Sequence, residues 1–253
     1  MFPARCAGCR DGPWPFCTEC VDSLIALGPP WCDICGRPTE EPVERCADCP
    51  PSVVQTARAP LLFSGPARQA VHRLKFSGWR TVAAALARAM CEVASARVDA
   101  VTWVPLARAR LASRGYDQAR ALAVPLARGL GLAATPLLRR SVETAPQARR
   151  TAIERREALS GAFVARGRPP ARVLLVDDVL TTGATAAACA EALLSEGARE
   201  VHLLTAARAF PGLLPRRYTR PGFPSGSVVA RRGSPEVDAS RGRNDPRKAT
   251  VGR

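Results

Sequence analysis

The chain has 253 residues, and its 37 Lys and Arg against 22 Asp and Glu give a formal net charge of +15. That length suits one α/β core with a small appended module, and no apolar run reaches the length of a membrane span, which argues against insertion. Aromatic residues make up only 5% of the chain, so base-stacking platforms are scarce.

Ten cysteines are present, and eight fall as four C-x-x-C pairs: Cys6/Cys9, Cys17/Cys20, Cys32/Cys35 and Cys46/Cys49. Each pair can present two thiolates to one tetrahedral metal, so two pairs complete a site. Pairing neighbours gives Cys6, Cys9, Cys17 and Cys20 for one Zn²⁺, and Cys32, Cys35, Cys46 and Cys49 for another. An interleaved pairing stays open. No secretory signal is read at the N-terminus, so a cytoplasmic setting with reduced thiols, and hence zinc rather than disulfides, is expected. With no open coordination position evident, both zinc sites are expected to be structural. Residues 1–55 carry four more acids than bases, which makes this segment by itself a poor grip for a nucleic-acid backbone.

Residues 56–210 alternate between strand and helix patterns, the signature of an α/β domain with a parallel sheet. Pro60–Ser64 is a predicted strand. Pro66–Phe76 is an amphipathic helix, and Thr81–Ala96 a second, alanine-rich one. Lys75 lies near the end of the first helix. The chain has 35 Arg and two Lys, the other being Lys248, so a lone ammonium in the folded body suggests a role a planar guanidinium cannot fill. Lys75 is therefore expected to face a phosphate of the ligand. Val101–Val104 is a strand, and Asp117–Gly129 a helix despite Pro125. Arg139 to Arg172 is a long polar stretch containing Arg149, Arg150, Arg155 and Arg156. The lone Cys91 and Cys189 lie in Ala-rich helical segments and read as small core residues.

The next segment carries the chemistry. Val173–Val176 is an unbroken apolar run, as in a parallel strand covered on both faces. It ends in Asp177 and Asp178. A loop of Leu180-Thr181-Thr182-Gly183 follows, and Ala184–Leu194 is a predicted helix. The loop thus joins the C-terminal edge of a strand to a helix N-terminus, where unpaired N–H groups suit a phosphate. Gly183 lets the backbone approach, Thr181, Thr182 and Thr185 offer hydroxyls, and Ala184 opens the helix as a further candidate ligand contact. Two carboxylates beside a phosphate make sense if they accept hydrogen bonds from sugar hydroxyls or hold a hydrated Mg²⁺. No G-x-x-x-x-G-K-[ST] and no G-x-G-x-x-G after a strand is present. Val201–Ala206 is the last predicted strand. Residues 211–253 are rich in Pro, Gly, Ser and Arg, lack apolar periodicity, and read as a disordered basic tail.

Val173–Thr185 resembles the signature of the type I phosphoribosyltransferases, which bind 5-phosphoribosyl 1-diphosphate (PRPP). The resemblance implies ribose and Mg²⁺ contacts for Asp177 and Asp178, and 5-phosphate contacts for the Thr/Gly loop. It also implies that the loop after the Val101–Val104 strand holds pyrophosphate, with Arg108, Arg110 and Arg114 neutralising it, and that a mobile loop between these landmarks closes over the ligand. The wider set of H-R-L-K-F, V-P-L…R-G-Y-D-Q-A, T-A-P-Q…R-R…G-A-F and V-D-D-V-L-T-T-G-A-T, behind four cysteine pairs, resembles the ComF family of competence-associated proteins. Asp117 stands where that family often has Asn.

Together these imply a Cys-rich zinc module at 1–55, a phosphoribosyltransferase-like domain at 56–210 and a tail at 211–253. Three functions fit. One is Mg²⁺-dependent phosphoribosyl transfer to an acceptor. Another is a PRPP sensor without turnover. The third is handling of single-stranded DNA, with a competence helicase as partner.

Overall fold

The computed structural model describes residues 5–47, 49, 53–141, 159 and 161–210. Its centre is a parallel sheet. Strands β1 (Thr56–Arg58) and β2 (Leu61–Leu62) both pair with β7 (Glu200–Arg208), which pairs with β6 (Arg172–Leu180), which pairs with β3 (Ala100–Trp103). A small antiparallel pair, β4 (Leu138–Arg140) and β5 (Phe163–Ala165), lies off this sheet. The helices are α1 (Thr18–Asp22), α2 (Gly65–Phe76), α3 (Val82–Glu92), α4 (Arg108–Arg114), α5 (Gln118–Gly129) and α6 (Ala184–Ser195).

Period-two alternation along β6 builds both cores. Leu174 and Val176 join Val101, Leu204 and Ala206 under α2, α3 and α5. Val173 and Leu175 point the other way, to a layer with α6, Leu138 and Phe163. The α/β architecture behind a Cys-rich segment is the one predicted.

Several boundaries differ from the sequence reading, for physical reasons. The strand predicted at Pro60–Ser64 shrinks to Leu61–Leu62, and Thr56–Arg58 forms a strand that apolar pattern did not reveal. Register against β7 decides both, with Thr56 opposite His202 and Leu61 opposite Ala207. Helix α3 stops at Glu92 rather than Ala96, where Val93 and Ser95 favour helix poorly. Strand β6 runs on through Asp177 and Asp178 to Leu180, because β7 still offers partners as far as Arg208. A short helix, α4, replaces the expected loop at Arg108–Arg114. Pro125 is accommodated within α5, as expected.

The cysteine segment packs onto the sheet domain. Cys6, Phe16, Cys17, Cys20 and Leu24 belong to the same buried cluster as α2 and α3. The second half docks on β1, where the Ala57 amide donates to Ile34 O at 2.7 Å and Arg58 Nη2 donates to Asp33 O at 2.7 Å. Cys189 is fully buried, whereas Cys91 is only half-buried at the edge of its cluster, a correction to its reading as a core residue. Among the described residues no helix is long and apolar enough to cross a membrane. Arg149, Arg150, Arg155, Arg156 and the tail lie outside the described residues.

Candidate functional site

A cleft of about 310 Å³ opens at the C-terminal edge of the sheet. Its floor is the end of β6, where the apolar run gives way to Asp177, Asp178 and Val179. Asp178 is buried at 4% exposure. Its Oδ1 pairs with Lys75 Nζ at 2.7 Å, while its Oδ2 is buried without a hydrogen-bond partner. Asp177 lies half-buried beside it, and Asp177 Oδ1 accepts from the Asp178 amide at 2.8 Å. Burial first, and then the neighbouring Asp178 charge, push the Asp177 carboxyl up to about 8.

Next to this floor, a smaller pocket of about 90 Å³ is lined by Thr181, Thr182, Gly183, Ala184 and Thr185. Gly183 caps α6 at φ 78°, a left-handed conformation that glycine adopts without strain. Its carbonyl accepts the first intrahelical bond, from the Ala187 amide at 2.8 Å. Thr181 and Thr185 line both pockets, so the two form one continuous site.

The walls are basic. Lys75 comes from the last turn of α2, Arg110 and Arg114 from α4, and Arg140 from the end of β4. Asp117 holds the loop between β3 and α5. Its carboxylate accepts from the Ala119 amide at 2.9 Å and the Arg120 amide at 3.1 Å, capping α5, and from the Leu106 amide at 3.1 Å across the loop. Arg114 donates to Gln118 Oε1 at 2.9 Å and lies 4.7 Å over the Phe76 ring. The Tyr116 hydroxyl donates to Leu74 O, tying this wall to α2.

The cysteines form two clusters in which all four Sγ atoms lie within 4.8 Å of one another: Cys6, Cys9, Cys17 and Cys20, and Cys32, Cys35, Cys46 and Cys49. Neighbour pairing is therefore the one adopted. A Zn–S length of about 2.3 Å sets tetrahedral S···S edges of about 3.8 Å. Cys9–Cys17 at 3.7 Å and Cys35–Cys46 at 3.6 Å match that edge. Both clusters fit structural zinc.

Local backbone prepares them. The Gly8 and Cys17 amides each donate to Cys6 Sγ at 3.3 Å. Burial opposes the Cys6 thiolate, but amides of Cys17, Cys9 and Gly8 outweigh it and draw the thiol down to about 6. Cys46 and Cys49 are pushed up to about 12 and about 11 by burial and then by neighbouring thiols and thiolates, as expected of sulfurs crowded for a shared cation.

Residues 1–50 match the model of a double zinc ribbon domain. The chain is 33% identical over 222 residues to the DNA utilization protein YhgH of Salmonella typhimurium, covering 79% of this chain and 95% of that one. The chain belongs to the ComF family. A further relative of this ComF-family protein is Competence protein F of Haemophilus influenzae, 29% identical over 83% of this chain and 99% of that one. Among solved structures, the glutamine PRPP amidotransferase from B. subtilis is 21% identical, with a TM-score of 0.35, over 49% of this chain and 26% of that enzyme. An allosteric regulatory enzyme of purine biosynthesis is similar at 20% identity and a TM-score of 0.36, over 50% of this chain and 26% of that enzyme.

The fold of this ComF-family protein brings most of the predicted site residues together. Asp177, Asp178, Thr181, Thr185, Lys75, Arg110 and Arg114 share the cleft, with Thr182, Gly183 and Ala184 in the adjoining pocket. Arg108 is not among the cleft-lining residues, because the first turn of α4 carries it elsewhere. Lys75, expected to face a phosphate, lines the cleft and ion-pairs there with Asp178. Sequence reasoning did not single out Arg140 or Phe63. Each borders a strand end with no motif around it, so only chain assembly reveals it.

Proposed function

We propose that the cleft binds PRPP with Mg²⁺ and that the protein transfers the phosphoribosyl group to an acceptor. The carrying observation is Asp178 Oδ2, a buried carboxylate oxygen left without a partner next to the raised carboxyl of Asp177. Such acceptors call for ribose hydroxyls or a cation. The donor set is all oxygen, which suits Mg²⁺. When bound, Mg²⁺ would supply charge neutralisation for pyrophosphate, held by Asp177 and Asp178.

The remaining roles fall to the chain's own side chains. The Thr181–Thr185 turn takes the 5-phosphate at the α6 N-terminus. Arg110, Arg114 and Arg140 line the wall where the diphosphate lies, and stabilise charge as the bond from C1 to the pyrophosphate oxygen breaks and an acceptor bonds to C1. Lys75, paired with Asp178 at the cleft wall, is positioned to follow the diphosphate when it arrives. Positioning and electrostatics thus account for most of the chemistry.

Calorimetry with PRPP and Mg²⁺ tests binding, and pyrophosphate release with a panel of amines and bases tests transfer. Asp178→Asn should weaken PRPP binding at least about tenfold, a loss of roughly 1.4 kcal/mol. Parent protein that fails to bind PRPP in Mg²⁺ overturns the proposal. Binding without pyrophosphate release from any acceptor reduces it to a sensor.

A second reading has one observation in its favour. Phe76 is 59% exposed, with Arg114 over its ring, and Arg80 lies 4.6 Å over Tyr116 nearby. Such pairs suit stacking of single-stranded nucleic acid at the rim. Salt-dependent single-strand binding that drops in Phe76→Ala, with PRPP binding retained, would support it.

A further inference from the structure

The C-terminal half of α2 faces two places at once. Arg73, only 7% exposed, turns away from the cleft toward the first cysteine cluster. Its Nη1 donates to Gly8 O at 2.6 Å and to Ala7 O, and lies 3.4 Å from Cys6 O. These carbonyls belong to the turn between Cys6 and Cys9, whose Gly8 amide donates to Cys6 Sγ. Two residues on, Lys75 turns the other way and meets Asp178. Between them, Leu74 O accepts from Tyr116. The Arg73 guanidinium also lies 5.4 Å over Trp79.

The first cluster's turn therefore has two dependants. Its amides face sulfur, and its carbonyls face Arg73. A Cβ on Gly8 would come 2.4 Å from Cys20 Sγ, so the turn closes tightly on the cluster. If the four sulfurs are not held by a metal, the turn keeps its backbone bonds, among them the Cys6 amide to Gly12 O at 2.7 Å and the Ala7 amide to Pro15 O at 2.8 Å, but loses the cross-link that closes it on Cys17 and Cys20. Arg73 would then be a buried cation over loosened acceptors, a costly state that rotation or displacement of the helix end relieves. Lys75 lies less than one helical turn away and would move with it.

The second cluster makes a different connection. Arg58 donates to Asp33 O near Cys32 and Cys35, and lies 4.8 Å over Trp31. It sits on β1 and does not line the cleft. Arg208, at the end of β7, also interacts with Cys35, so zinc in the second cluster supports β1 and the end of β7 rather than the Lys75 end of α2.

We propose that Arg73 is a positioning residue that makes the placement of Lys75 in the cleft depend on metal occupancy of the first cysteine cluster but not of the second. The inference stands on the Lys75–Asp178 pair itself, whichever ligand the cleft takes. It assigns the two similar-looking ribbons unequal roles. One is wired to the cleft through α2, and the other braces the sheet edge.

The scarcity of lysine supplies the test. Only Lys75 and Lys248 carry an ε-amine. ¹³C reductive methylation of the full chain therefore gives two lysine signals, and Lys75 is the one that shifts when Asp178→Asn removes its partner. In Arg73→Met, and in Cys9→Ser, which removes an exposed ligand of the first cluster, the Lys75 signal should move toward that of Lys248. Arg58→Met and Cys49→Ser should leave it in place, although zinc release to a chromogenic chelator shows one of two metals loosened. Cys9→Ser provides the answer if Arg73→Met does not fold. A Lys75 signal unmoved by loss of the first metal, or moved equally by loss of either, overturns the proposal. No step of this test requires PRPP, so its outcome is separate from that of the binding experiment.

Discussion

Asp177 and Asp178 are adjacent in sequence but have unlike surroundings. Alternation along β6 buries Asp178 against Lys75 and leaves Asp177 at the junction of the two pockets. The raised carboxyl of Asp177 has a consequence for stability. Its folded pKa, about 8, lies above the unfolded value, so the native state holds a proton that the unfolded chain releases. Stability therefore falls as pH rises from the ordinary carboxylate range toward 8. Asp177→Asn should remove that penalty. Thermal melts of the ligand-free protein should show a variant gain that is larger at pH 8 than at pH 5. Equal melting at both would show that the carboxyl ionises normally.

At the scale of elements, the loop between β3 and α5 is organised by a single side chain. Asp117 caps α5 and also holds the Leu106 amide. Asp117→Ala should cost roughly 1–2 kcal/mol of stability by denaturant titration, the usual range for a lost cap. The same substitution should weaken pyrophosphate binding, because Pro105, Leu106 and Arg110 all line the cleft. Unchanged stability would mean that the cap contributes little. Strand β6 and helix α6 were legible in sequence because an apolar run and an alanine-rich run flank a polar turn. Strand β1 was not, since Thr56, Ala57 and Arg58 show no alternation and are strand only by pairing with β7. Helix α4 was missed for a related reason. It has no buried residue and so lacks an apolar stripe to read.

For the whole molecule, the first ribbon shares a core with the sheet domain, and the second docks on β1 through hydrogen bonds. Cys17, Cys20 and Leu24 pack with Leu74 and Leu86, and Arg58 and Arg73 bind ribbon carbonyls. A domain boundary drawn at residue 55 by charge and cysteine content does not mark a gap in packing. Metal analysis should find two zinc ions per chain, one for each four-cysteine cluster. Chelation should lower the melting temperature of the sheet domain as well as unfold the ribbons, and unfolding of the loaded protein should be a single transition. Two resolved transitions, with the upper one insensitive to chelator, would show that the ribbons are independent.

Sequence alone determined the chemistry of each part. Cysteine spacing pointed to the two four-cysteine clusters, and an apolar strand ending in acids ahead of a Thr/Gly turn pointed to the phosphate-and-polyol cradle proposed above. Those signals are local, carried by residues within a few positions of one another. Which cysteines pair, that Lys75 meets Asp178 rather than open solvent, that Arg140 joins the cleft and Arg108 does not, and that Arg73 ties a ribbon to the helix beside it were decided only by the tertiary structure. Each of these depends on segments far apart in sequence, brought together by the register of β6 and β7 and the packing of α2, information that no local pattern contains.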